Sequence, residues 1–306
     1  MKAITQAGYG GPEALTLTEH PEPKVGPSEV LVEVRAAGVN PVDWKLGAGY
    51  LDEIMESVFP IIPGWDVAGV VTALGPDVPE FAIGDEVYGY IRKDVAQLGA
   101  YAERVAASVR MLARKPASLS WEQAAGVPLA GLTALQSIDR VHVAKDDTVL
   151  IHGASGGVGS LGVQIAVARG ARVIGTASER NHDFLRSLGA EPVSYGDGLA
   201  DRVRALADGV DVVLDFVGGG AVHASAGLHR DASRLVSIAD GDAAGLGGHV
   251  LWARPDAAGL TELARLADEG ALTVHVDHAL PLAEAGRAWQ LSQEGRTRGK
   301  IVLTVG

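Results

Sequence analysis

The 306-residue chain carries 38 acidic against 26 basic residues, a formal net charge of −12, and contains no cysteine. That balance repels nucleic-acid phosphates on average, and the missing thiols exclude disulfides, thiolate nucleophiles, iron–sulfur clusters and the usual cysteine-bearing zinc sites. A hydrophobic content of 47% can fill the core of one large domain or two ordinary ones.

The opening stretch "MKAITQAGYGGPEALTLTEH" lacks a basic region followed by an apolar run, so no secretory signal is expected. No apolar stretch reaches bilayer-spanning length, and a cytoplasmic protein without a membrane partner is the expectation. From Ser28 to Val39, "SEVLVEVRAAGV" alternates as a half-buried strand does, and "VAGVVTAL" and "DEVYGYI" are further β-rich runs closely punctuated by glycine and proline. This first part reads as an irregular, mostly β domain. The texture changes at "SWEQAAGVPLAGLTALQSIDRV", which has helical spacing, with Ser120 placed as an N-cap and Glu122 in the first turn.

Beyond it, apolar strands alternate with helices: "TVLIHGA", "ARVIGTA", "PVS", "VDVVLDFV", "RLVSIA" and "HVLW". Strands apolar throughout are buried on both faces, and six of them predict a doubly wound parallel sheet. The tail after Thr273 ends in a strongly β-forming run and is expected to return to the first domain. The overall class is α/β. The first domain is expected over 1–123, completed by 274–306, and the second over 124–273.

"HGASGGVGSLG", from His152 to Gly162, packs five glycines into eleven residues between a buried strand and a helix. Ala154, Gly156 and Gly159 occupy the positions of a G-x-G-x-x-G fingerprint, with alanine in the first. In this setting glycines allow a tight turn, let a pyrophosphate approach the backbone and expose a helix N-terminus to the anion. An NAD-binding unit usually carries an acid at the end of its second strand; here that place is Ala177, followed by Ser178 and Arg180. Alanine and serine leave room for a 2′-phosphate and the guanidinium can neutralise it, so NADP(H) is favoured, with Glu179 an opposing neighbour. The competing account of Arg180 is a solvated residue at a helix start. Phe216 and Val217, then Ser237 and Ile238, end the fourth and fifth strands, whose carboxyl ends face the cofactor crevice; core packing competes. Leu251 and Trp252 end the sixth.

Together with "AAGVNPVDWK", "IIPGWDVAGVV", "GDEVYGY", "GAYAE", "PLAGLTA" and "RGKIVL", these residues resemble the medium-chain dehydrogenase/reductase superfamily, in its zinc-independent quinone oxidoreductase and enoyl reductase branch. The resemblance covers nearly the whole chain. It implies a GroES-like catalytic domain, a Rossmann domain inserted into it, an active site in the cleft and a homodimer through the last Rossmann strand. Where zinc-dependent relatives carry a cysteine and a histidine–glutamate pair, this chain has Asn40, and Trp65 with Asp66; the cysteine lobe beyond "GDEV" is missing. No metal is therefore expected. The resemblance further implies that Ser155, Gly156, Gly157 and Val158 form the phosphate loop, that Thr133 lies beside the nicotinamide or phosphates, that Tyr195 lies by the 2′-phosphate and that Lys300 lies near the cleft.

Without zinc, simple alcohol oxidation loses its electrophile, whereas a quinone or an α,β-unsaturated ketone or aldehyde needs only a few hydrogen-bond donors for the charge that develops on its oxygen. Asn40 is the first candidate donor, against the alternative of a loop asparagine holding a turn. Lys45, in the same segment, is placed to contact cofactor phosphate or to donate a hydrogen bond or proton; an ordinary surface lysine is its competitor. Asp43 and Asp66 are expected to brace loops. Trp44, Tyr50, Phe59 and Trp65 are candidate walls for a flat substrate, with core packing as the other account. Quinone reduction, enoyl or alkenal double-bond reduction, and a non-catalytic NADPH-binding sensor all stay open at this level.

Overall fold

The strand expected from Ser28 runs over Glu29–Val39 and organises the first of two units in the computed structural model, which describes residues 1–306. One edge of this strand pairs antiparallel with Asp66–Leu74. Its other edge is long enough for two partners in succession: Arg104–Ser108 faces residues 29–33, and the tail strand Lys300–Thr304 faces residues 36–39. The sheet continues through Glu86–Tyr90 to Leu112–Arg114 on one side and through Val276–Pro281 on the other. The core beneath it joins Val30, Val32, Val34 and Val67 to Ile301, Leu303 and the fully buried Trp289 of the helix Ala285–Gln293.

This unit consists of Met1–Leu132 and Arg254–Gly306, and the second of Thr133–Ala253. The first unit thus takes in the helix Ala257–Asp268, which lies inside the expected 124–273 span. That helix is tied to the rest of the first unit: Tyr88 Oη of the sheet donates to Leu260 O at 2.5 Å, and Ser118 N in the turn after the Leu112–Arg114 strand donates to Asp268 Oδ1 at 2.9 Å. The helical stretch after Ser120 is two helices, Trp121–Ala125 and Pro128–Arg140, because Pro128 has no amide hydrogen to continue the first. Ser120 caps the first helix by accepting from Gln123 N, while the Gln123 side chain accepts from Ser120 N.

The second unit holds six parallel strands in the spatial order Ala190–Val193, Arg172–Thr176, Thr148–His152, Val212–Asp215, Leu235–Ser237 and His249–Val250. In chain order this is 3-2-1-4-5-6, the doubly wound arrangement whose order reverses beside its first strand. Val149, Leu150, Ile151, Val212, Val213 and Leu214 are all completely buried, as strands covered on both faces require. The third strand lies slightly earlier than "PVS", ending at Val193.

Candidate active site

All six parallel strands leave their carboxyl ends on one edge of the second unit, and the expected cofactor residues from Ser155 to Trp252 lie at or just beyond those ends. The first strand ends at His152, and the chain turns through Gly153, at φ +66°, into the helix Gly157–Ala168. A Cβ on Gly159 would lie 2.2 Å from Gly153 O and 2.6 Å from Ala154 Cα, so only glycine lets the helix approach the turn this closely. No side chain caps this helix: its N-cap is Gly156, which leaves the amides of Gly157 and Val158 open to an anion.

At the end of the second strand Ala177 is buried, Ser178 is half-buried and Arg180 is exposed. Asn181, which sequence reasoning missed, ties this corner to the glycine turn: its Nδ2 donates to Ser155 Oγ at 3.1 Å and to Ser178 Oγ at 3.4 Å. Tyr195, two residues beyond the third strand, is 64% exposed. Phe216 is half-buried, Val217 and Trp252 are exposed, and Ile238 and Leu251 are half-buried at the same edge. Ser237 differs from expectation in its side chain, which is fully buried. Its hydroxyl donates to Asp215 Oδ2 at 2.7 Å and accepts from the amides of Ala239 and Asp240, bracing the loop. Thr133 is buried in the Pro128–Arg140 helix. His152 is also internal, with Nε2 2.5 Å from Ser225 Oγ; burial pushes its pKa down to about 4, so it is neutral near pH 7.

In the first unit, strand register assembles a buried polar cluster. Ile301 pairs with Val39 and Asp66 pairs with Gly38, so Lys300 and Asp66 flank Asn40 from the two neighbouring strands. Lys300 Nζ donates to Asn40 Oδ1 at 2.5 Å and to Val39 O at 3.2 Å, and lies 4.0 Å from Asp66 Oδ2. Asn40 Nδ2 donates to Asp66 Oδ2 at 2.9 Å, and Asp66 Oδ1 accepts from Leu129 N at 2.8 Å. Asp43 reaches back to accept from Asn40 N at 2.8 Å, closing the start of the helix Pro41–Gly47, and its same oxygen accepts from Tyr101 Oη at 2.9 Å. The expected bracing roles of Asp43 and Asp66 correspond to these bonds.

Burial governs the charges here. It pushes Asp43 up to about 7 and Asp66 to about 6, against the opposing pull of Lys300 and their hydrogen bonds, and it pushes Lys300 down. With Asp43 protonated, one ammonium faces one carboxylate and the cluster is neutral. Nothing in the sequence announced these shifts, because they arise from three strands meeting.

Lys300 is only 4% exposed, and its ammonium is engaged by Asn40 Oδ1 and Val39 O within the first unit. Asn40, 2% exposed, has its carboxamide engaged at both ends, with a single Nδ2 hydrogen left over. Lys45, in contrast, is exposed, with Nζ 5.6 Å from the Trp44 ring centroid. The four candidate wall aromatics fall into separate pairs rather than one wall: Trp44 meets Tyr50, Phe59 meets Tyr9, and Trp65 is buried against Tyr90. No group of three or more histidine, aspartate or glutamate side chains is arranged to hold a metal ion.

The family model for the alcohol dehydrogenase GroES-like domain matches residues 26–117, and that for zinc-binding dehydrogenases matches 188–303. A chloroplastic quinone-oxidoreductase, QR1 of Triphysaria versicolor, is 32% identical over 343 residues, covering 99% of this chain and 98% of the relative. The chloroplastic NADPH-dependent alkenal/one oxidoreductase of Arabidopsis thaliana is 37% identical over 225 residues; that match covers 71% of this chain and only 58% of the relative's length. Among solved structures, the quinone oxidoreductase from Coxiella burnetii superimposes with a TM-score of 0.89 at 35% identity, covering 100% of this chain and 99% of the other. The chain belongs to the medium-chain dehydrogenase/reductase superfamily, in the branch of the quinone oxidoreductases and alkenal reductases.

Proposed function

We propose that this chain is an NADPH-dependent, zinc-independent reductase of quinones or α,β-unsaturated ketones and aldehydes. The observation that carries the reading is the uncapped helix start after the Gly153 turn, on a parallel sheet whose second strand is followed by Ala177 where an acid would exclude a 2′-phosphate. The amides of Gly157 and Val158 hold the pyrophosphate, and Ser178, Arg180 and Tyr195 surround the 2′-phosphate. The chemistry that NADPH supplies when bound is hydride transfer to an electron-poor acceptor.

The acceptor oxygen gains negative charge as it is reduced, and preorganised donors stabilise it. Lys45 offers an exposed ammonium, and Asn40 offers its remaining Nδ2 hydrogen. A zinc ion does not fit this site: Trp65 is packed against Tyr90, and the Lys300 ammonium, 4.0 Å from Asp66 Oδ2, repels a divalent cation from the one carboxylate among Asn40, Trp65 and Asp66. A homodimer joined along the His249–Val250 edge completes the reading, supported by the exposure of Val250 and Trp252 beside that edge strand.

The test is anaerobic, metal-free NADPH oxidation with matched panels of simple quinones and of enones and enals. Turnover with at least one panel is expected, with Lys45→Met lowering kcat tenfold or more while NADPH affinity stays within threefold. Tight NADPH binding with turnover of neither panel would leave a non-catalytic binding protein and overturn the reading.

A further inference from the structure

Lys300 is a buried ammonium, and burying a charge is destabilising beside a hydrocarbon of the same length, so its position calls for a reason beyond packing. Its chemistry supplies one. A lysine ammonium only donates and an ionised carboxylate only accepts. Asn40 sits between Lys300 and Asp66, so its carboxamide has one permitted orientation: Oδ1 toward Lys300, Nδ2 toward Asp66. A second lysine bond, to Val39 O, fixes the ammonium against the backbone one residue earlier. The asparagine is thereby held in place by the last strand on one side and the Asp66–Leu74 strand on the other.

We propose that Lys300 is a positioning residue: it locks the Asn40 carboxamide so that the one uncommitted Nδ2 hydrogen is presented in a single direction to a reactant oxygen. This rests on the reductase reading for its catalytic consequence, though the locking itself does not. Lys300 touches no reactant in this account and acts through Asn40 alone.

A double-mutant cycle tests the idea, using Lys300→Met, Asn40→Leu and both together, with kcat expressed per folded molecule and NADPH affinity measured separately. Lys300→Met is expected to lower kcat about 30-fold with NADPH affinity within threefold. Since both residues serve one function, the double variant should fall no more than about threefold below the weaker single variant. Retention of kcat within threefold in Lys300→Met, or losses that multiply in the double variant, would overturn the proposal. Should Lys300→Met fail to fold because it strands Asp66, Lys300→Met in an Asp66→Asn background is compared with Asp66→Asn alone under the same thresholds.

A second readout needs no turnover. The Asn40 side-chain amide signals, assigned by their loss in Asn40→Leu, should exchange with solvent at least tenfold faster in Lys300→Met; an unchanged rate sinks the locking role. A wild-type protein that reduces neither acceptor class defeats the reductase reading, while the exchange measurement still decides whether Lys300 fixes the amide.

Discussion

Asp43 and Tyr101 meet in the interior of the first unit with an unequal division of the carboxyl group: Oδ2 accepts from the tyrosine hydroxyl at 2.9 Å, whereas Oδ1 is buried with no hydrogen-bond partner. A proton on the unpartnered oxygen removes a buried charge, and burial outweighs the Lys300 ammonium and the two hydrogen bonds to push this carboxyl up to about 7.

The consequence for stability has a definite sign. Between about pH 4 and pH 7 the folded chain holds a proton on Asp43 and the unfolded chain does not, so this group's contribution to stability falls as pH rises. His152, pushed down to about 4, works in the opposite direction over part of that range. Comparison with Asp43→Asn isolates the carboxyl, because the amide oxygen still accepts from Tyr101 and Asn40. The stability of the variant relative to wild type should increase by roughly 2 kcal/mol from pH 5 to pH 8, read from denaturant midpoints. A flat difference would show that Asp43 is ionised throughout.

Arg180 is exposed after the second strand, next to Asn181, which ties Ser178 to the glycine turn. Arg180→Ala should weaken NADPH binding by about 10- to 30-fold, the value of a charge-assisted phosphate contact, and leave NADH within about twofold. Ala177→Asp should reverse the preference by placing a carboxylate at the proposed 2′-phosphate site. Titrations of cofactor fluorescence with both nucleotides decide the matter; equal losses for the two would remove Arg180 from the phosphate site.

Gly159→Ala places a Cβ 2.2 Å from a backbone oxygen that cannot rotate away, so the turn must shift. A destabilisation of about 1–3 kcal/mol is expected, together with at least a tenfold loss of NADPH affinity, from thermal melts with and without nucleotide. Gly245, where nothing lies within 4 Å and φ is not positive, is the matched control: Gly245→Ala should leave both measurements unchanged.

What could be read from the sequence was whatever depends on neighbours along the chain. The strand from Glu29 shows its alternation, the Ser120 cap its side chain, and the glycine turn its place between an apolar strand and a helix. The six strands followed for the same reason, and with them the carboxyl edge carrying Ser155, Tyr195 and Trp252. The Lys300–Asn40–Asp66 cluster was not legible, because it depends on the register of three strands, and register is set by pairing across hundreds of residues. "RGKIVL" looks the same whether its lysine points out or in. Asn181 was missed because "SERNHD" carries no periodic or turn signal that marks a bracing side chain.

The pairing of residues 36–39 with Lys300–Thr304 also orders events in time. The parallel sheet is built from one continuous stretch, 133–253, and can close while later residues are still being synthesised. The sheet around Asn40 waits for its final strand, so Asp66 keeps its solvent and Asn40 its freedom until the ribosome has delivered the lysine that faces them. A nascent chain arrested before Lys300 would hold every strand of the parallel sheet and lack the strand that completes the polar cluster.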